Sequence, residues 1–384
     1  MSGSRDQPSG TPRRLHVAVY AIARDESPFV ARFMRPLAVA DEVLIADTGS
    51  SDDTANLFRQ HGARVVCINV SPWRFDDARN AALALVSPRA DVCVSLDCDE
   101  IIQDGWRENL ERVWTPGTTR LHYTSIYSWT AENTAGIVCC ADRIHARHGY
   151  RWRWPVHECV EWYGDGDERP ASCFELSVHH HPDPAKSRAR YLPMLERAVR
   201  EDRDSPRMSF YLGRERFFQG DYGGAAGELR RYLRLPTAHW AAQRAEACRL
   251  LAASLEAQGA VEAALAWRWR SVSECQDQPE AWVELARALY WRGDFEGGYY
   301  ASRRALAIHN LAGSHASPPE ARGALPHDLL ANCAWRIGLV DEARRHALLA
   351  AELSPRDERL RRNAAYFDGA KKVECHVLKQ ECVR

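Results

Sequence analysis

The sequence predicts an α/β domain on a mostly parallel, Rossmann-like sheet, followed by an all-α solenoid of helical repeats. Three observations carry that expectation. Strand-like and helix-like segments alternate strictly from residue 15 to residue 102. From residue 206 onward, glycines recur between amphipathic helical runs, with Gly259 and Gly293 34 positions apart. Residues 115–185 between these regions are rich in Trp, Tyr, His and Arg, and read as strands with long loops.

The elements of the first half follow in order. "LHVAVYAIA" (15–23) is a β-rich run, and "SPFVARFMRPLAVA" behind it sets Phe29, Val30, Phe33 and Leu37 on one helical face. "DEVLIADTGSSDDT" is a strand ending in Asp47, with Ser50, Ser51 and Asp52 able to cap a helix over Thr54–His61 that Gly62 closes. "ARVVCINV" is a third strand, "FDDARNAALALV" a helix and "DVCVSLDCDE" a fourth strand. In open α/β sheets ligands bind beyond the carboxyl ends of the strands, the edge where Asp47, Asp97 and Asp99 fall.

The second half repeats a helix–turn–helix unit in "GDYGGAAGELRRYL", "GAVEAALAWRWRSV", "GDFEGGYYASRRAL" and "GLVDEARRHALLAA". A spacing of 34 is the period of a tetratricopeptide repeat, and four copies fit between about residues 206 and 356. Small residues such as Gly213, Ala286 and Ala305 let paired helices cross closely. The expected organisation is a flexible tail at 1–14, an α/β domain at 15–195, repeats at 200–369 and a second tail at 370–384.

Composition narrows the function classes. The 384 residues carry 51 basic and 52 acidic groups, a net charge of −1, which argues against a general electrostatic grip on nucleic acid or an anionic membrane. No window approaches 18 apolar residues, so no membrane span is expected. The first residues lack the apolar core of a secretory signal. The twelve cysteines show no CxxC spacing, so reduced and mostly buried thiols in a cytoplasmic protein are expected.

Chemistry gathers first at "VCVSLDCDEII" (92–102). Two carboxylates one residue apart at a strand end suit a hard ion such as Mg²⁺ or Mn²⁺, which fills its shell with phosphate and water. A solvated turn is the plain alternative. "RWRWPVHECVEW" (151–162) alternates Trp152 and Trp154 with Arg151 and Arg153, either to stack on a ligand or to pack beneath a sheet. "FELSVHHHPDP" puts Phe174, Leu176, Val178 and His180 on one strand parity, with His179 and His181 on the other. "KSRARY" adds Lys186, Arg188 and Arg190.

The ordered segments "AIARDE", "VLIADTGSSDDT", "FDDARN" and "SLDCDE" resemble the family-2 glycosyltransferases of GT-A fold, and among them the bacterial and phage members with a tetratricopeptide tail. The resemblance covers about residues 15–185. It implies a metal-dependent inverting transfer from a nucleotide-sugar, a UDP-sugar, to an acceptor hydroxyl or thiol. Asp47 would read the base, with Ala23 and Arg24 lining the nucleotide pocket and Arg79 and Asn80 facing the diphosphate. Asp97 would contact the ribose or the metal, Asp99 the metal (Mn²⁺ or Mg²⁺), with His180 or His181 completing its shell. Glu158 would be the base, positioned by His157, although the family base is usually an Asp in another setting. Each has a structural alternative: Asp47 as a turn cap, Arg79 as a surface residue, Glu158 as the partner of a nearby arginine.

The acceptor would be a peptide, a glycan or a hydroxymethylated pyrimidine in DNA, with a protein partner on the repeats. Two other readings remain. A nucleotidyltransferase would want a Gly-rich stretch that "AIARDESP" lacks. A non-catalytic interaction protein would act through its repeats alone.

Overall fold

A computed structural model describes residues 14–129, 134–183, 191–309 and 319–369. The terminal tails, apart from Arg14, and Lys186, Arg188 and Arg190 lie outside the described residues. The chain divides into two compact units, Met1–Ala189 and Arg190–Arg384.

The first unit is built on β1 (Val17–Ala23), a strand of small and β-branched residues buried almost throughout. It pairs in parallel with β2 (Glu42–Asp47) on one side and β4 (Val92–Ser95) on the other. β3 (Arg64–Cys67) extends the parallel side. Beyond β4 the sheet turns mixed. β7 (Val138–Ala146) lies antiparallel to β4 and to β6 (Arg120–Ile126). β10 (Pro170–His180) is parallel to β6, and β5 (Glu100–Ile102) closes the edge antiparallel to β10. The order is β3-β2-β1-β4-β7-β6-β10-β5. The mostly parallel sheet expected from the sequence is corrected to a mixed one, because strands of the Arg- and His-rich middle of the chain join the main sheet, β7 running antiparallel to both its neighbours and β10 antiparallel to β5.

Both faces of this sheet are covered. Val17, Val19, Ala21 and Ala23 pack with Val30, Phe33 and Leu37, and with Phe58 of α2 (Thr54–Gln60) and Trp106 of α4 (Trp106–Val113). Pro36 breaks the expected helix over 27–40 into 3₁₀ turns flanking a short α1 (Val30–Met34). On the other face Ala18 and Tyr20 meet Ala82 and Leu83 of α3 (Phe75–Leu85) and Trp152 and Val160 of the hairpin β8 (Tyr150–Arg153) and β9 (Cys159–Trp162). Trp152 and Trp154 are buried while Arg151 and Arg153 face solvent, and Trp152 packs beneath the sheet.

One parity expectation fails. Leu176 and Val178 are buried, but Phe174 is 60% exposed and Cys173 is buried in its place. The pairing of β10 with β6 shifts register between Cys173 and Ser177, and a bulge there moves the side-chain alternation by one residue. The ten described cysteines are free, in line with the reduced thiols expected, but only half of them are buried where most were expected to be.

The second unit is a succession of helix pairs: α6 (Pro206–Phe218) with α7 (Tyr222–Arg234), α8 (Ala241–Ala257) with α9 (Val261–Glu274), α10 (Pro279–Trp291) with α11 (Phe295–Leu306), and α12 (Ala324–Arg336) with α13 (Val340–Leu353). α5 (Tyr191–Glu201) packs on α6 and α14 (Glu358–Gly369) on α13. Each pair turns on a glycine with positive φ, at Gly220, Gly259, Gly293 and Gly338, the left-handed conformation that ends a helix without Cβ strain. In two copies the next residue then caps the second helix, Asp221 accepting from the Gly224 N–H and Asp294 from the Gly297 N–H, each at 2.9 Å. Gly213 sets the closeness of the first pair, since a Cβ there would stand 2.8 Å from Leu229 Cδ2.

Each second helix packs on the first helix of the next pair, and the first helices α6, α8, α10 and α12 also touch one another in turn. These four form an inner row, and α7, α9, α11 and α13 lie outside it. Among the described residues, no helix is long and apolar enough to cross a membrane.

Candidate functional site

The acids at the carboxyl edge of the sheet are drawn into an ion-pair network. Arg79, buried on α3, donates from Nε to Glu158 Oε1 at 2.6 Å and from its terminal nitrogens to Asp97 and to Ser95 Oγ. Its guanidinium lies 4.8 Å above the Trp152 ring. Arg143 on β7 takes the other oxygen of Asp97 at 3.0 Å and also binds Glu100. The Glu100 carboxylate accepts from the Asp97 N–H at 2.8 Å, tying off the turn between β4 and β5. Burial alone would raise the Asp97 pKa, but the two guanidinium groups outweigh it and hold the carboxyl well below the usual range. Burial pushes Glu100 upward.

The other sequence-predicted residues have partners of their own. Asp47 accepts from the hydroxyl of Ser50 and from the backbone N–H groups of Gly49 and Ser50, which is the turn-capping arrangement. Ala23 is buried and paired in register with Asp47. Arg24 is exposed, 3.9 Å from the Asp25 carboxylate. Asn80 donates to the Trp152 carbonyl and accepts its N–H, both at 2.8 Å, pinning α3 to β8. His157 has a φ of +52°, an uncommon conformation for a side chain with a Cβ.

Asp99 stands 3.5 Å from His180 Nε2, while His180 Nδ1 donates to the Tyr127 carbonyl. Burial opposes charge on His180, yet the hydrogen bond and charge of Asp99 outweigh it and raise its pKa. His181 stacks on Trp129 with ring centroids 5.3 Å apart. Asp97 and Asp99 diverge into separate sets of partners. Among the described residues, no group of three or more His, Cys, Asp or Glu side chains is placed to hold a metal ion.

Sequence reasoning missed two features. Arg143 gave no signal, because an arginine within "VCCADRIHA" reads as a solvent-facing strand residue. The second is a buried polar chain across the sheet. The Trp152 indole donates to Tyr20 Oη at 2.8 Å, and Tyr20 bonds His145 Nε2 at 2.9 Å. Burial favours the neutral ring, in which His145 Nδ1 donates to the Ala146 carbonyl and Nε2 accepts from the Tyr20 hydroxyl.

Burial lowers the His145 pKa to about 4. A histidine whose folded pKa lies below its unfolded value of about 6.5 contributes stability that is complete above pH 6.5 and lost as pH falls toward 4. Urea unfolding should show the first unit losing about 2 kcal/mol between pH 7 and pH 5 from this group. His346 of α13, hydrogen-bonded to His327 of α12 at 2.8 Å and lowered to about 4 by burial, acts in the same direction in the second unit.

The inner row of the second unit carries a different surface. Trp291 at the end of α10 is 78% exposed and Phe218 at the end of α6 is 64% exposed. Both stand two residues before the glycine that closes their pair, Gly293 and Gly220. Arg287 and Arg214 each lie one turn earlier on the same face. Aligning the repeats by their glycines would have revealed this pattern in the sequence.

No family model matches the chain. A TPR repeat-containing protein of Synechococcus elongatus is similar to it, 28% identical over 149 residues, or 38% of this chain and 35% of that protein. The chain thus spans about a third of the length of this curated relative. Similar solved structures include MamA, 15% identical with a TM-score of 0.36 over 44% of this chain and 89% of that one. YrrB, described as a TPR protein with an unusual peptide-binding site, is 15% identical with a TM-score of 0.36 over 46% and 83%. A thermophilic TPR protein of Thermus thermophilus is 20% identical with a TM-score of 0.31 over 46% and 88%. The curated relative and two of these structures are described as TPR proteins, and none of these proteins is described as a glycosyltransferase. This corrects the family-2 glycosyltransferase assignment, and with it the GT-A fold name and the expected transferase activity. What remains is a mixed-sheet unit joined to a unit of tetratricopeptide-type helix pairs.

Proposed function

We propose that this chain is a non-catalytic interaction protein that binds a segment of a partner protein along the inner row of its helical repeats. The observation that carries this reading is the pair of exposed aromatics, Phe218 and Trp291, at equivalent places on two inner helices. Large aromatic side chains bury much apolar area at a contact and dominate interface energetics. The curated relative, by its name a TPR repeat-containing protein, agrees with this reading. In the first unit the Arg79–Asp97–Arg143 network then serves the architecture, locking α3, β4 and β7 together.

Photo-crosslinking tests the reading. A photoreactive residue at position 291 should capture a discrete partner, while the same residue at exposed Leu348 on the outer helix α13 should not. Equal capture at both positions would remove the inner row from the account.

A further inference from the structure

The inner row also carries chemistry that selects its occupant. Three arginines of this row, Arg214, Arg287 and Arg336, have no carboxylate partner among the described residues. Their neighbours are paired: Arg249 with Glu284, Arg268 with Glu256 and Glu284, and Arg292 with Glu262. The guanidinium of Arg214 rests on the Tyr211 ring at 4.6 Å and that of Arg336 on the Phe295 ring at 5.3 Å, which fixes each cation in place without neutralising it. Arg287 is exposed.

The arrangement is periodic. Six residues before the closing glycines stand Arg214, Ala253, Arg287 and Asn332, and two before them stand Phe218, Ala257, Trp291 and Arg336. Side chains four apart share a helix face, so each helix contributes one such pair to a common strip. The alanines of α8 leave a low place between Phe218 on α6 and Trp291 on α10. Neighbouring helices pack about 8–10 Å apart, so the two aromatics bracket about 16–20 Å. About five or six residues of extended chain cross that distance.

We infer that this strip docks an extended acidic segment of a partner protein, which deepens and rests on the interaction reading above. Its carboxylates pair with Arg214, Arg287 and Arg336, and an apolar side chain settles over Ala253 and Ala257 between Phe218 and Trp291. None of the segments outside the described residues is an acidic run: residues 1–13 hold two arginines against one aspartate, 130–133 one glutamate, 184–190 three basic residues and no acid, 310–318 no Asp, Glu, Lys or Arg, and 370–384 four basic against two acidic residues. Planar guanidinium groups bind carboxylates in bidentate fashion, which gives the strip direction as well as charge selectivity.

Selection from a displayed library of random peptides tests the inference, using the full chain and an Arg214→Glu/Arg287→Glu variant in parallel. The wild-type chain should enrich peptides with two or more Asp or Glu around an apolar residue. Their binding should weaken about tenfold or more in the variant and fall with added salt. The neutral Arg214→Gln/Arg287→Gln variant, which adds no repulsion between neighbouring helices, should lose the same peptides. Enrichment of neutral or basic peptides, or of the same acidic peptides on all three chains, would overturn the inference and leave the interaction reading standing. No enrichment on any chain would count against both.

Discussion

Replacing Arg79 with leucine is expected to destabilise the first unit by about 3–5 kcal/mol, the cost of breaking a buried ion pair and leaving its carboxylates uncompensated. Arg79 touches Glu158, Asp97 and Ser95 and covers Trp152, so its loss strips four neighbours at once. Arg143 still holds Asp97, which leaves Glu158 as the more exposed casualty. Adding Glu158→Gln to the Arg79→Leu chain should recover part of the loss, because the second change removes the stranded charge. Urea unfolding of the four members of this cycle measures the coupling. Additive losses would mean that the pair is not a unit.

Replacing Phe210 with alanine should cost the second unit about 3–5 kcal/mol. Phe210 is fully buried on α6, with its ring 5.5 Å from those of Tyr211 and Tyr232. In a solenoid each pair touches only its neighbours, so the damage should stay local. Hydrogen exchange should quicken in α6, α7 and α8 while α12, α13 and α14 keep their protection. Uniform loss across all the helices would show that the repeats unfold as one block.

The sequence was informative where periodicity is strong. Val17–Ala23 could be assigned from its apolar run, and the helix pairs from Gly220, Gly259, Gly293 and Gly338, because a glycine recurring between amphipathic helical runs marks the turn of a helix pair. It failed where side-chain pattern and backbone pairing part. Nothing in "ASCFELSV" announces the bulge that exposes Phe174, and the direction of β7 depends on a distant partner, β4. The acids illustrate a deeper limit. "SLDCDE" locates carboxylates at a strand end, but whether they face a ligand or an arginine depends on residues far away, here Arg79 and Arg143. Four short motifs in order supplied a family name that the relatives found did not support. The repeats, read from spacing alone, proved the sounder guide.

The most direct test of where function resides is the affinity of the partner captured at position 291 for three full-length chains: wild type, Trp291→Ala and Asp99→Asn. Removal of an exposed aromatic hot spot costs about 2 kcal/mol or more, close to thirtyfold in Kd. The account predicts that loss for Trp291→Ala and unchanged affinity for Asp99→Asn. Full affinity in Trp291→Ala together with a loss in Asp99→Asn would contradict it, returning function to the acids of the sheet.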